Sequence, residues 1–203
     1  MTHHIVNALD IGSSKISLTM AKVNLQGNVE IIAHASTKSR GVKNGLIKNI
    51  DWVASDLQAL KEQVEEISGY NVEVVSVNVG SPMINQHWSN HTQFRDHPDG
   101  VFQTEDLDCM IEDVHRMILP DGHQILHVIP NSFVIDEHIT VADPVGIIGN
   151  RMDGTFRVIS IDNKTIDAIK RCLYKTDIAL DQLLIEPISA SNTVVFNEEK
   201  ELG

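Results

Sequence analysis

The chain has 203 residues, 42% of them hydrophobic, and a formal net charge of −12 from 28 acidic and 16 basic residues. This length can bury roughly 70% of the unfolded surface, which is enough for one medium domain or two small ones. Because phosphate backbones repel so acidic a chain, we expect no nucleic-acid partner, whereas a basic protein partner is allowed. No apolar run approaches the ~18 residues of a membrane span, so any membrane contact is expected to be indirect. The two cysteines, Cys109 and Cys172, lack a metal-type spacing and favour a reducing cytoplasm.

The first predicted element is a strand, a turn of small residues and a second strand. Asp10 ends the first strand, and the turn follows as Gly12-Ser13-Ser14-Lys15. Gly12 lets the backbone approach a ligand, the serine hydroxyls lie beside exposed N–H groups, and Lys15 supplies a cation. Asp10 could hold a hydrated Mg²⁺ against a bound phosphate. The pattern predicts a phosphate site, and the alternative is an ordinary hairpin with a solvated aspartate. No helix follows the turn, which excludes a Walker loop and a Rossmann fingerprint.

The next elements complete a β-β-β-α-β order. Residues 29–36 predict a third strand, and the glycines of residues 40–45 predict an irregular connection. Apolar residues then recur at helical spacing, with Asp51 as the candidate N-cap and Gly69 just past the end. Residues 72–79 predict a returning strand. This order is typical of the first half of a ribonuclease-H-like, or actin-like, α/β unit, although other α+β folds share it.

The middle third has a different character. Residues 81–160 hold 12 acidic residues against four arginines, a net charge of −8, and no lysine. We predict a helix capped by Thr104, strands at residues 124–135 and 155–161, and an apolar helix face. That face comprises Leu107, Ile111, Val114 and Ile118. We interpret the segment as an inserted α+β subdomain.

Two histidine pairs have the i, i+4 spacing of helical metal ligands. His87 and His91 flank a stretch that fits helix and strand equally well, and His123 and His127 span a predicted turn and strand. Neither pair has an evident third ligand. Surface or hydrogen-bonded histidine is therefore the preferred interpretation.

The last forty residues return to α/β alternation. Asn163 is the candidate cap of a helix, residues 180–185 predict a strand, and Pro187 predicts the first turn of a helix to about Phe196. The helix after Asn163 directs an apolar face to the core through Ile166, Ile169 and Leu173. Glu186 ends the strand and could orient a water molecule, and the alternative is a solvated glutamate at a helix N-terminus. The polar run 197–203 predicts a turn into a further strand, so we expect the chain to continue.

Five segments, in one order along nearly the whole chain, resemble the bacterial cell-division proteins of the FtsA family. The phosphate turn alone would indicate only the wider superfamily of actin, sugar kinases and heat-shock chaperones. The Ser-Arg-Gly and Pro-Val-Gly segments narrow the resemblance to FtsA. The matching segments are residues 9–15, 39–45, 127–136, 143–152 and 185–191.

The resemblance implies an actin-like ATPase that uses ATP and Mg²⁺. Its discontinuous subdomain 1A would comprise residues 1–80 and 161–203, and its inserted subdomain 1C residues 81–160. Asp10 would hold the metal through water, Gly12, Ser13, Ser14 and Lys15 would bind the phosphates, and Glu186 would be catalytic.

The resemblance also implies a partner set and a location. The family polymerises, binds the tubulin-like ring protein FtsZ, and tethers it to the inner membrane through a C-terminal helix. Subdomain 1C would contact other FtsA copies and membrane-anchored division proteins with basic cytoplasmic tails. The protein would then lie on the cytoplasmic face of the inner membrane at the division site.

Two alternatives remain: a sugar-kinase-like phosphotransferase half-domain, which shares the phosphate turn, and an actin-like pilus-assembly protein, which shares the topology of the insert but would not explain the Ser-Arg-Gly and Pro-Val-Gly segments. The family's second phosphate loop would begin just after Gly203. We therefore expect this chain to carry one wall of the nucleotide cleft and to be inactive alone.

Overall fold

A computed structural model describes residues 3–95, 100–195 and 199. The chain divides into two compact units: unit 1 is Met1–Pro82 with Lys164–Gly203, and unit 2 is Met83–Asn163. Within the described ranges, no helix is long and apolar enough to cross a membrane. The predicted end of the last helix at Phe196 lies outside the described residues. So does the predicted turn at residues 197–203, apart from residue 199.

In the parts of the chain that the structure describes, fifteen elements follow one another. They are β1 His4–Ile11, β2 Lys15–Val23, β3 Val29–Lys38, β4 Val42–Lys43, β5 Leu46–Ile47, α1 Ile50–Ser68, β6 Val74–Val79, β7 Ile84–Phe94, α2 Thr104–His115, β8 His123–Ile135, β9 Ile139–Val141, β10 Arg151–Asp162, α3 Asn163–Tyr174, β11 Ala179–Ile185 and α4 Glu186–Val194.

Unit 1 contains a five-stranded sheet in the order β11-β6-β1-β2-β3. Strands β1, β2 and β3 form an antiparallel meander, whereas β6 pairs parallel to β1 and β11 pairs parallel to β6. Alternate residues of β2 are buried, namely Ile16, Leu18 and Met20, as expected for a strand with one face on a core. This strand order is the ribonuclease-H-like, actin-like arrangement, so the predicted fold class is confirmed.

Helix α1 begins two residues earlier than predicted. Asn49 is the N-cap, and its side-chain oxygen accepts a hydrogen bond from the Trp52 N–H at 2.9 Å, so Asp51 lies in the first turn instead. Gly69 ends the helix with φ 73°, and its N–H donates to Glu65 O. The glycine stop was predicted correctly, whereas two neighbouring cap residues, Asn and Asp, could not be ranked from sequence.

Helix α3 follows its prediction closely. It begins at Asn163, and Ile166, Ile169 and Leu173 are all buried. The apolar spacing of three and four residues therefore identified the buried face correctly.

Unit 2 contains a four-stranded antiparallel sheet in the order β7-β10-β8-β9, with helix α2 packed against it. Its core is aromatic and is built around Phe102, Phe133 and Phe156. Gly154 permits close packing here, because a Cβ at this position would lie 2.5 Å from Met110 Sδ and 2.7 Å from Phe156 Cε2.

Three details of unit 2 differ from the prediction. Gln103 is the N-cap of α2 and Thr104 is its first residue; Asp106 Oδ2 accepts from the Gln103 N–H at 2.8 Å. Ile118 is 96% exposed because the helix ends at His115 and does not carry it to the core. Strand β7 was missed because polar residues occupy most of both its faces, which leaves no apolar alternation.

The four histidines of the two candidate pairs all lie on strands of unit 2. His87 and His91 lie on β7, where His87 Nε2 is 2.9 Å from Ser160 Oγ. His123 Nε2 is 3.2 Å from Asn85 Nδ2. Among the residues that the structure describes, no three His, Cys, Asp or Glu side chains form a metal-binding group.

Candidate functional site

Three neighbouring parallel strands of unit 1 end at one edge of the sheet. Asp10 lies near the end of β1 and pairs in register with Asn78, near the end of β6. Strand β11 ends at Ile185, which pairs with Val79, and Glu186 follows directly. The carboxyl ends of parallel strands are the usual ligand-binding edge of an α/β sheet. The topology thus brings Asp10 and Glu186, 176 residues apart in sequence numbering, to the same edge.

A short hydrogen-bonded chain orients the Asp10 carboxylate. Asn78 Nδ2 donates to Asp10 Oδ1 at 3.3 Å, and the Ser189 hydroxyl donates to Asn78 Oδ1 at 3.0 Å. Both Asp10 and Asn78 are half-buried. Helix α4 is therefore connected through Ser189 to the aspartate of β1, and the second carboxylate oxygen of Asp10 is left to accept from water or a ligand.

The predicted phosphate turn is tight and open to solvent. The Gly12 N–H donates to Lys15 O at 3.0 Å, and a Cβ at Gly12 would lie only 3.0 Å from the same oxygen. Ser13, Ser14 and Lys15 are exposed. The turn therefore favours glycine at its first position and presents two hydroxyls and an ammonium group to solvent.

Two glycines bring Glu186 against the turn region. Gly45 has φ +72°, and a Cβ there would collide with Gly80 O; a Cβ at Gly80 would in turn lie 2.5 Å from Glu186 Oε2. Glu186 is itself exposed. Because neither glycine has a side chain, the backbone at Gly45 can approach Gly80, and the backbone at Gly80 can approach the Glu186 carboxylate.

Sequence reasoning missed four of the residues that shape this edge. Asn78 and Ser189 orient Asp10, and Gly45 and Gly80 make the close approach to Glu186. A polar residue near the end of a buried strand was the available signal for Asn78. The Gly45 contact had no local signal because Gly80 is distant in sequence.

The donor set suits a phosphate with a hydrated divalent cation. Carboxylate oxygens, hydroxyls and one ammonium group are grouped at this edge, and Mg²⁺ binds through few carboxylates while keeping several waters. Asp10 is the residue that would hold such a water shell.

Unit 2 presents a second feature of functional interest, the acidic helix α2. Glu105, Asp108 and Glu112 are exposed on it. Asp106 differs from them, because it caps the helix and lies 3.1 Å from Arg95 Nη1. It is therefore a structural carboxylate, whereas the other three are available to a partner.

The chain is similar to known proteins in both of its units. The family model described as "SHS2 domain inserted in FTSA" matches residues 85–160. The cell division protein FtsA of Borreliella burgdorferi is 27% identical over 203 residues, 100% of this chain and 49% of that protein. FtsA of Pseudomonas aeruginosa is 23% identical over 98% of this chain and 47% of that protein. The chain is similar to the FtsA cell-division proteins.

The match to FtsA extends along the whole chain, and the chain spans about half the length of these curated relatives. It is consistent with an N-terminal portion of FtsA. Among solved structures, a "PilM-PilN type IV pilus biogenesis complex" matches with a TM-score of 0.63 at 10% identity, covering 92% of this chain and 49% of that one. That likeness supports the fold alone.

Proposed function

We propose that unit 1 forms one wall of an ATP and Mg²⁺ site in an actin-like cell-division protein. The observation that carries the proposal is the meeting of Asp10, the phosphate turn and Glu186 at the ends of three parallel strands. Asp10 would hold the hydrated metal, and Glu186 would orient the attacking water. Ser13, Ser14 and Lys15 would bind the β- and γ-phosphates, because hydroxyl, N–H and ammonium donors match phosphate oxygens.

The residue roles are testable in a full-length protein that carries this chain. Asp10→Ala should weaken Mg²⁺-dependent ATP binding, whereas Asp167→Ala, which removes an exposed acid from α3, should not. Glu186→Gln should slow hydrolysis and leave binding intact. Unchanged nucleotide affinity and Mg²⁺ dependence in Asp10→Ala would refute the assignment.

The isolated chain should bind ATP weakly and show no turnover. One wall supplies part of the phosphate contacts and leaves the base uncovered, so binding energy is lost at both ends of the nucleotide. Calorimetry on this chain is the direct measurement. A micromolar affinity would show that the second wall is not needed.

A second candidate function belongs to unit 2, which we propose corresponds to subdomain 1C and binds a basic segment. The observation behind it is the row of exposed acids on α2, in a unit with 13 acidic residues, four arginines and no lysine. Such a surface attracts cationic segments in a salt-dependent way. The cytoplasmic tail of a membrane-anchored division protein and a basic face of another copy are the two candidate partners.

Charge reversal tests this binding in the whole chain. Glu105→Lys with Asp108→Lys should weaken binding of a basic peptide, and binding to the wild type should fall as salt rises. Asp106 must be left intact, because its loss would disturb the helix cap. Salt-independent binding, or a folded double variant that binds as before, would leave the acids with a role in solubility only.

The cellular role follows the FtsA homology as a proposal. We propose that the full-length protein polymerises and tethers the FtsZ ring to the cytoplasmic face of the inner membrane, through regions beyond this chain. A pilus-assembly role has only fold-level support, since the similarity to the PilM-PilN complex is 10% in sequence. A sugar-kinase-like transferase would need a sugar-binding group, whereas residues 85–160 match the FtsA insert. Co-sedimentation of the full-length protein with FtsZ and vesicles tests the tethering role.

A further inference from the structure

The segment that joins β3 to α1 contacts both helix α1 and the phosphate turn. We call residues 39–45 the SRG loop, after its Ser39-Arg40-Gly41 sequence. It contains the short strand β4 and the start of the β4–β5 hairpin. Its contacts connect a buried carboxylate of α1 with a hydroxyl of the turn.

At one end the SRG loop is fastened to helix α1. Arg40 Nε donates to Asp56 Oδ1 at 3.0 Å, and Asp56 is 5% exposed, whereas the Arg40 side chain is 57% exposed. A carboxylate buried this deeply needs its cation, since an unpaired buried charge is strongly unfavourable. Gly41 adds close backbone packing, because a Cβ there would lie 2.6 Å from Asn49 O and 2.6 Å from Val53 Cγ2.

The SRG loop also holds the phosphate turn, through its first and its last residue. The Gly45 N–H donates to Ser13 Oγ at 2.8 Å, and the Ser39 N–H donates to Ser14 O at 3.1 Å. A serine hydroxyl has one proton to donate and two lone pairs to accept with. Because Ser13 Oγ accepts from Gly45, its own proton is left for another acceptor. Ser13 is exposed, so that acceptor comes from outside the turn.

We propose that the SRG loop is the positioning element of the phosphate site. The Arg40–Asp56 pair fixes the loop on α1, and the Gly45 N–H turns the Ser13 hydroxyl so that it donates to a phosphate oxygen. The selected ligand group is an acceptor-only oxyanion, as in a nucleotide polyphosphate. Arg40 and Gly45 act through Ser13 and are positioning residues. The inference rests on the proposed nucleotide function of this edge.

The chain supplies a matched pair of glycines for the first test. Gly45 and Gly27 have φ +72° and +80°, so alanine brings similar backbone strain at both, but a Cβ at Gly27 meets nothing within 4 Å. In the full-length protein, Gly45→Ala should weaken Mg²⁺-ATP binding by about tenfold or more, because its Cβ would collide with Gly80 O and move the Gly45 N–H away from Ser13 Oγ. Gly27→Ala should bind as the wild type does. Calorimetric titration with Mg²⁺-ATP measures both.

A second matched pair tests the ion pair. Arg40 and Lys175 each bind a carboxylate of α1, Asp56 and Asp51 respectively. Arg40→Ala should lower ATP affinity and speed solvent exchange of the Gly45 amide, a positioning readout that needs no nucleotide and can be measured by NMR on this chain. Lys175→Ala should change neither. In a Ser13→Ala background, Arg40→Ala should cause no further loss of affinity, because both act through one hydroxyl.

The outcomes distinguish a failure of the proposed nucleotide site from a failure of the positioning role of the SRG loop. If wild type and Asp10→Ala bind Mg²⁺-ATP equally, the nucleotide site is refuted and the inference falls with it. If Asp10→Ala weakens binding but Ser13→Ala and Arg40→Ala bind as the wild type does, the inference alone is overturned. A Gly45 amide that exchanges no faster in Arg40→Ala also overturns it. Should Gly45→Ala fail to fold, the Ser13 and Arg40 variants still decide.

Discussion

Unit 1 and unit 2 are both built from strands and helices, but they differ in core composition, strand pairing and surface charge. The described core of unit 1 is aliphatic, and its candidate site lies where parallel strands end. Unit 2 buries three phenylalanines beneath an antiparallel sheet and carries 13 acidic residues and seven of the ten histidines. A strand-end edge lined by glycines suits a small ligand, whereas a charged helix face suits a macromolecule. One chain thus carries two kinds of candidate site. The site of unit 1 is shaped by the backbone geometry of a sheet edge, and that of unit 2 by the surface charge of a helix.

The largest effect should come from the aromatic core of unit 2. Phe156 is fully buried and meets Phe133 edge-on, with ring centroids 5.8 Å apart. Phe156→Ala should lower the free energy of unfolding of unit 2 by about 3–5 kcal/mol. Hydrogen exchange should show lost protection in β8 and β10 and retained protection in β1 and β2. Equal loss in both sets of strands would mean that the two units unfold as one.

Glycine substitutions should be less costly and should differ between the units. A Cβ at Gly41 of unit 1 would meet a backbone oxygen, whereas a Cβ at Gly154 of unit 2 would meet the flexible end of Met110 first. Both alanine variants should destabilise by about 1–3 kcal/mol, with Gly41→Ala the larger, because backbone yields less than a side-chain end. Urea unfolding curves measure the ranking. A larger loss for Gly154→Ala would show that the phenylalanines around it are the more rigid neighbours.

The two cysteines should differ in reactivity. Cys109 of α2 is exposed, while burial is the main cause that raises the pKa of Cys172 in α3 to about 11. The thiolate is the reactive form, so iodoacetamide at pH 8 should label Cys109 and spare Cys172 in the folded chain. Mass spectrometry of the digested protein measures the labelling. Similar labelling of both thiols under native conditions would mean that unit 1 opens readily near α3; in urea both should react.

The smallest effect should be a pH dependence of unit 2. Burial lowers the pKa of His127 from its ordinary value of 6.5, and its Nε2 is buried with no hydrogen-bond partner among the described residues. As the pH falls below 6.5, His127 is protonated in the unfolded state before it is protonated in the folded state. The free energy of unfolding therefore decreases as the pH falls, until the pH passes below the lowered pKa of His127 in the folded state.

His127→Gln should remove that part of the slope, and His34→Gln, at an exposed position in unit 1, is the control. Thermal unfolding between pH 7.5 and 5 measures it. If the slope of the His127 variant matches that of the wild type, the pH dependence belongs to other histidines.

The sequence by itself determined the local elements. Helices α1 and α3, the first hairpin with its glycine turn and the β-β-β-α-β order were all predictable, because apolar spacing and turn residues act over a few positions. Where this local signal was weak or ambiguous, prediction failed. Strand β7 was not predicted because its polar residues give no apolar alternation, and the N-cap of α1 is Asn49 where Asp51 was expected.

Only the tertiary structure decided which distant residues meet. Asn78 reaches Asp10, Gly45 reaches Ser13, and Asp106 turns out to be a cap paired with Arg95 rather than a free surface charge. The first two contacts depend on the pairing of β6 with β1 and on the packing of the SRG loop against α1, and the third depends on the placement of α2 beside the end of β7. Such pairings form because whole faces of the sheet and helices are buried together. This burial is cooperative, so no short stretch of sequence determines it.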